Sequence, residues 1–214
     1  MGTSEKLRVE FGAVWDAAVG HRFVDELWDG SLDPTVLTRY LVQDFQFCDA
    51  FLALMGAAVA SCDDPDARVV HARQVGLVAG DENDFFHSSF DALGVSTAER
   101  TAPELAEPTR AFVALMDGAR DTADYGSCLA VLLVAEWLYL DWATRPNFTA
   151  PSDPIPREWI DLHRGPDFEV WVAFLRAEFD RVNEGLDPAA AQRVSAFFGE
   201  AVGLELAFFD AAYG

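Results

Sequence analysis

Residues 128–143, C-L-A-V-L-L-V-A-E-W-L-Y-L-D-W-A, decide the fold. The stretch is almost wholly apolar and has no Gly or Pro, so it predicts a helix that is packed on most sides. Glu136 lies in its middle and shares a helix face with Leu132 and Tyr139, at spacings of four and three. An unpaired carboxylate is costly to bury. Glu136 therefore indicates a polar site enclosed within a helical core.

The rest of the chain also predicts helices. Apolar residues recur at spacings of three and four, and no segment shows the sustained alternation expected of a strand. Gly80 is expected to break or kink one helix, and proline-containing loops are expected near residues 96–108 and 145–156. We predict an all-α fold in which residues 1–214 form one domain, a helical bundle of about seven or eight helices. The seven longer helices are predicted at about 4–19, 34–61, 66–93, 108–119, 121–143, 167–183 and 188–212. Two short helices are predicted at about 21–29 and 157–163.

The composition limits the partners and the compartment. The formal net charge is −21, and no basic stripe is present, so nucleic acid and anionic membrane are not expected as partners. The three cysteines, Cys48, Cys62 and Cys128, form no C-x-x-C motif, which indicates reduced thiols in a cytoplasmic protein. The N-terminus has no apolar core of a signal peptide. The apolar run from Cys128 to Tyr139 is interrupted by Glu136, and we expect it to be too short and too charged to span a membrane.

Two further carboxylates lie on apolar helix stripes, as Glu136 does. They are Asp44, in the predicted helix 34–61, and Glu205, in the last predicted helix. Each acid alone could meet an Arg or a backbone N–H, but the three together, with nearby aromatic residues, predict a lined pocket. Burial raises the pKa of such acids, which suits proton transfer to a bound base. Aromatic faces suit a flat heteroaromatic ligand, and the candidates are Phe47, Phe112, Tyr139 and Phe208.

A metal site is not predicted. Di-iron bundles use Glu-x-x-His pairs on facing helices, and the sequence contains no such pair. Glu82 and His87 are five residues apart, which does not place them on one helix face. The cysteines are expected to be small core residues. We therefore expect no metal and no cofactor.

Four motifs in order resemble those of the TenA/thiaminase II family, whose fold is that of haem oxygenase. They span nearly the whole chain and begin with H-R-F-V-D-E-L-W-D-G-S-L at residues 21–32. Y-L-V-Q-D-F-Q-F at residues 40–47 contains Asp44. W-I-D-L-H at residues 159–163 is followed by D-F. L-E-L-A-F-F-D-A-A at residues 204–212 contains Glu205 and Phe208.

The resemblance also implies a branch of the family. One branch has a catalytic Cys four residues before the Tyr of the central helix, and Ala135 occupies that position here. The other branch lacks the Cys and has a Glu three residues before that Tyr, which matches Glu136 and Tyr139. The chain therefore resembles the Glu-type branch. Thiamin cleavage is not expected without the thiol nucleophile.

The activity that the resemblance implies is hydrolysis of a C–N bond on a thiamin-derived pyrimidine, in thiamin salvage. The substrate would be an aminomethyl- or formylaminomethyl-pyrimidine. Asp44 would hydrogen-bond the amino-amidine edge, and Glu205 would protonate a ring nitrogen or the leaving amine. Glu136 would activate water or hold the exocyclic nitrogen, and Tyr139 and Phe208 would pack on the ring. Members of the family are commonly tetramers or dimers, so we expect a homo-oligomer.

Three residues depart from the family pattern. Phe47, Phe112 and His163 stand where the family commonly has Tyr, so each removes or changes a hydroxyl group in the pocket. Two alternatives therefore stay open. One is a metal- or cofactor-dependent oxidase on the same scaffold, and the other is a non-catalytic pyrimidine-binding protein.

Overall fold

The computed structural model describes residues 1–146 and 149–214, and these contain helices and no β-strand. An all-α fold is therefore confirmed. In chain order the α-helices are α1 (Thr3–Glu10), α2 (Gly12–Val19), α3 (Arg22–Asp29), α4 (Pro34–Phe45), α5 (Cys48–Ser61), α6 (Pro65–Leu77), α7 (Asn83–Leu93), α8 (Thr97–Thr101), α9 (Glu107–Asp121), α10 (Tyr125–Ala143), α11 (Pro154–Leu162), α12 (Pro166–Val182) and α13 (Pro188–Ala211). A π-helical turn, Val78–Glu82, joins α6 to α7.

The central helix is α10, as the opening stretch predicts. It begins at Asp124, whose side chain accepts a hydrogen bond from the backbone N–H of Ser127. It packs against α5, α9, α12 and α13. Residues on all of its sides are buried, so α10 is the core around which the other helices are arranged.

The chain has more helical segments than the seven or eight predicted, because three long predicted helices are divided. Helix 4–19 is interrupted at Phe11, and helix 34–61 is interrupted at 46–47. Helix 66–93 contains the π-helical turn around Gly80, where a break or kink was expected. The predicted loop at 96–108 also contains a short helix, α8, with the capping box of Ser96 and Glu99.

The helix caps follow local sequence closely. Asp33 and Asp64 each accept hydrogen bonds from backbone N–H groups in the first turn of the helix that follows, and a Pro occupies the first helical position in both helices. The N-terminus of α12 is capped differently, although an Asp lies close to it. Gly165, with a φ of 99°, is the N-cap residue, and Asp167 lies within the first turn.

The expectation that the apolar run of α10 is too short and too charged to span a membrane needs one correction. The full helix α10 has the length and composition of a membrane span, although 83% of its most apolar window is buried inside the fold. Among the described residues it is the one such helix, unless the bent pair of α4 and α5 is also counted as a span. Extensive burial is typical of a core helix, so composition alone carries no argument for a membrane.

Candidate active site

One cavity lies among these helices, with a volume of about 330 Å³. That volume is within the range of small-molecule sites. Seven of the eight predicted site residues line it, although they come from four helices, the break between α4 and α5, and the residue that follows α11. They are Asp44, Phe47, Phe112, Glu136, Tyr139, His163 and Glu205.

Phe208 is the predicted site residue that does not line the cavity. Its ring lies one layer behind the wall, 4.9 Å from the ring centroid of Phe47 and 5.2 Å from that of Tyr40. The side chain is 2% exposed. Phe208 therefore supports the Phe47 ring, and direct packing of Phe208 on a ligand is not what this geometry favours.

The structure adds a fourth carboxylate, Glu82, to the predicted three acids. Glu82 ends the π-helical turn and lines the cavity. From the sequence, Glu82 was a candidate only as a metal partner of His87. The signal that could have found it is the one used for the other acids, since Glu82 lies between Val78 and Phe86 at spacings of four on a largely apolar face.

Burial raises the pKa of all four acids and so favours their protonated, neutral form. It raises the pKa of Glu82 to about 7 and that of Glu136 to about 8, and it raises the pKa of Asp44 and Glu205 well above the usual range. Mutual repulsion adds to burial: Glu82 raises the pKa of Asp44 and Glu136, and Asp44 raises that of Glu205. The indole of Trp171 acts in the opposite direction on Glu136. The site therefore keeps protons available for transfer.

One oxygen of Asp44 has no partner. Oδ2 is buried and makes no hydrogen bond to any described residue, while the whole residue is only 9% exposed. Leaving a buried polar atom unpaired costs about 1–3 kcal/mol. Because Asp44 lines the cavity, this oxygen is placed to pair with a hydrogen-bond donor of a bound ligand.

Tyr139 and His163 line the cavity beside the acids, and each makes a hydrogen bond to a neighbouring residue. The hydroxyl groups of Tyr40 and Tyr139 are 2.8 Å apart. His163 Nδ1 lies 2.8 Å from the backbone oxygen of Trp159, and because a carbonyl oxygen only accepts, Nδ1 carries the proton. Burial lowers the pKa of His163 to about 4. His163 is therefore neutral at physiological pH and leaves Nε2 as an acceptor.

Cys48 also lines the cavity, whereas the sequence analysis expected a core residue. Burial and the nearby acids Glu82 and Asp44 raise the pKa of its thiol. A thiol with a raised pKa is a weak nucleophile. Cys48 is free, as are Cys62 and Cys128.

The cavity rim carries three exposed carboxylates, Asp81, Asp161 and Asp167. The one guanidinium in the cavity wall is that of Arg164, which forms an ion pair with Asp161. Among the described residues, no basic side chain contributes to the pKa shifts of the four inner acids. These acids are therefore not neutralised by a nearby Lys or Arg of the described chain.

Residues 1–146 and 149–214 contain no set of side chains arranged as a metal site. No group of three or more His, Cys, Asp or Glu side chains in this part of the chain has the arrangement to hold a metal ion. The four acids of the cavity come from four different segments, and they do not form such a group. The donor set therefore does not fit a metal centre of the di-iron kind.

The fold and the cavity together define an all-α protein with an acidic and aromatic cavity of small-molecule size. The sequence model of the TENA/THI-4/PQQC family matches residues 10–214. The chain belongs to this family, and its fold is the haem oxygenase-like all-α fold that the resemblance implied.

The similar proteins agree with this assignment. An aminopyrimidine aminohydrolase of Halalkalibacterium halodurans is 24% identical over 202 residues, covering 94% of this chain and 90% of that protein. An aminopyrimidine aminohydrolase of Bacillus subtilis is 24% identical over 215 residues, covering 100% of this chain and 90% of that protein. Among solved structures, a TenA homologue from Pyrococcus furiosus matches with a TM-score of 0.88 and 21% identity, covering 99% of this chain and 100% of the other.

Proposed function

We propose that this protein hydrolyses a C–N bond on a thiamin-derived aminopyrimidine, an aminomethyl- or formylaminomethyl-pyrimidine, in thiamin salvage. The observation that carries the proposal is the unpartnered, buried Oδ2 of Asp44 in an aromatic-walled cavity of about 330 Å³. An aminopyrimidine presents adjacent ring-nitrogen and amino groups on a flat ring. The two similar aminopyrimidine aminohydrolases support the same substrate class.

Asp44 and the aromatic wall would bind the ring. The amino group donates a hydrogen bond to Asp44 Oδ2, which satisfies the unpaired oxygen. Phe47 and Phe112, whose ring centroids are 5.4 Å apart at an interplanar angle of 64°, supply two differently oriented apolar faces. The hydroxyl of Tyr139, already paired with that of Tyr40, would orient the exocyclic group.

Glu136 and Glu205 would move the protons. Water attacks the carbon that carries the nitrogen, and the proton of that water passes to the Glu136 carboxylate. The C–N bond breaks as the leaving nitrogen takes a proton from the protonated Glu205, whose raised pKa keeps it an acid at neutral pH. An aminomethyl substrate and water thus give a hydroxymethyl product and ammonia. A formylamino substrate gives formate and the free amine.

The position of Ala135 supports a Glu-type mechanism. Ala135 lines the cavity beside Glu136 and places no thiol there. Cys48, the cavity thiol, is held protonated by burial and by its acidic neighbours. We therefore expect water, activated by a carboxylate, to be the nucleophile, and we expect thiamin itself to survive incubation with the protein.

The direct test is turnover by the purified protein. Ammonia or formate should be released from the two aminopyrimidines, and Glu205→Gln should lower kcat by roughly 10²–10⁴-fold, the usual contribution of a general acid. Circular dichroism checks that the fold is kept. Glu158→Gln changes an exposed Glu outside the cavity and serves as the matched control. No turnover of either pyrimidine would overturn the proposal, and tight binding without turnover would identify a binding protein instead.

We also propose that residues 1–214 form one domain of a cytoplasmic homo-oligomer, a dimer or a tetramer. The free cysteines suit a reducing compartment. Among the described residues, several large apolar side chains are exposed, including Val9, Val69 and Val170. Light scattering on the purified protein would give the oligomeric state, and a monomer at micromolar concentration would contradict this part.

A further inference from the structure

The π-helical turn places Glu82 in the cavity wall. Five residues, V-A-G-D-E, form the turn inside an otherwise continuous helical run from Pro65 to Leu93. π-turns within α-helices are frequent at functional sites. Val78, at the start of this turn, and Glu82, at its end, both line the cavity.

Glu82 has no charge partner among the described residues. No ion pair or hydrogen bond to another of these residues involves its carboxyl group, and burial is the cause of its raised pKa. Its negative charge instead raises the pKa of two other acids of the cavity, Asp44 and Glu136. Two acids that interact this way lose their protons in steps that belong to the pair.

Ala135 belongs to the same cavity wall as Glu82 and Glu136. It precedes Glu136 on α10. A methyl group at this position leaves room for a water molecule, and a carboxylate and a carboxylic acid together supply the acceptors and the donor that would hold it. Asp44 supplies independent evidence that the cavity takes a ligand, since its buried Oδ2 is unpartnered.

We propose that Glu82 and Glu136 form a proton-sharing pair that activates the attacking water above Ala135. This inference rests on the proposed hydrolysis. With one proton on the pair, Glu82 holds that proton, and the ionised Glu136 accepts the proton of the water as the water oxygen bonds to the carbon. The second proton stays on the other member, and the departing nitrogen takes its proton from Glu205. Glu82 is thus a positioning residue that acts through Glu136.

The kinetic test uses Glu82→Gln, Glu136→Gln and the double variant. Each single change should lower kcat by about 100-fold or more with KM within about 3-fold, and the double variant should lose little beyond the larger single loss, because the pair acts as a unit. The rise of kcat/KM through about pH 7 should be displaced in Glu82→Gln. Asp84→Asn, an exposed acid two residues away and outside the cavity, is the control.

A second measurement is independent of turnover. In the ligand-free protein, infrared spectra recorded across pH follow the carbonyl stretch of protonated carboxyl groups. Removing the charge of Glu82 should shift the titration of Glu136 to lower pH, and Asp84→Asn should leave it in place. The pair is refuted if Glu82→Gln keeps the wild-type pH–rate profile, if the single losses multiply in the double variant, or if the infrared titration of Glu136 does not move. Absence of turnover with a shifted titration would overturn the proposed function but not the pairing.

Discussion

Glu136→Gln should make the protein more stable at alkaline pH while leaving its stability in mild acid unchanged. Glu136 is 6% exposed, and its pKa is raised from 4.5 to about 8, first by burial and then by the charge of Glu82. Below about pH 4.5 both the folded and the unfolded chain hold the proton. Above that pH the unfolded chain releases it while the folded chain keeps it, so the free energy of unfolding falls until about pH 8.

The magnitude follows from the size of the pKa change. A pKa raised from 4.5 to about 8 corresponds to ~5 kcal/mol, since each pKa unit corresponds to about 1.4 kcal/mol. Water in the cavity solvates the ionised form, so we expect a gain of roughly 3 kcal/mol or more at pH 9. At pH 5 the neutral Gln replaces a neutral carboxylic acid of the same shape, and the two proteins should agree within about 1 kcal/mol.

Urea unfolding followed by circular dichroism at pH 5 and pH 9 measures both values. Glu158→Gln removes an exposed carboxylate, and its effect should be small and equal at the two pH values. A Glu136→Gln variant with the same stability change at pH 5 and at pH 9 would refute the reasoning. A Glu136→Gln variant that loses stability at pH 9 alone would also refute the reasoning.

Two further substitutions test the surroundings of the acids. Asp44→Ala should raise KM for an aminopyrimidine by roughly 10–100-fold, because it leaves the amino group of the bound ring without its buried acceptor, which costs about 1–3 kcal/mol; steady-state kinetics checks this, and an unchanged KM would contradict the placement of the ring. Trp171→Phe removes the indole N–H. This group is buried and has no acceptor at hydrogen-bond distance, but its interaction with Glu136 lowers the pKa of that carboxyl group. The half-maximal point of kcat/KM should then move to higher pH, and a profile that stays in place would show that the indole does not act on this acid.

Local sequence was sufficient to predict the central helix and most of the proposed site residues that line the cavity. The apolar run of α10, the caps at Asp33 and Asp64, and the carboxylates on apolar stripes depend on neighbours within one or two helical turns, which periodicity describes directly. These features predicted the all-α fold. They also predicted that Asp44, Glu136 and Glu205 meet.

What local sequence could not predict depends on contacts between distant residues. The interruption at Phe11 is an example: its ring lies so close to Gly199 on α13 that a Cβ there would be 2.4 Å from ring atoms. The break after α4 is another, since Gln46 donates a hydrogen bond to the backbone oxygen of Arg100. The hydroxyl pair of Tyr40 and Tyr139 joins residues 99 positions apart. None of these contacts has a signal within a helical turn.

The acidic rim has a consequence for the approach of substrates. Asp81, Asp161 and Asp167 surround the opening, and the chain as a whole carries a formal net charge of −21. Such a field attracts an ammonium group and repels a phosphate ester before either molecule touches the protein. Capture of an aminomethyl-pyrimidine in its cationic form should therefore slow as salt is added, while capture of a neutral pyrimidine should not. Discrimination between free and phosphorylated pyrimidines would then begin in solution, ahead of any contact with the cavity wall.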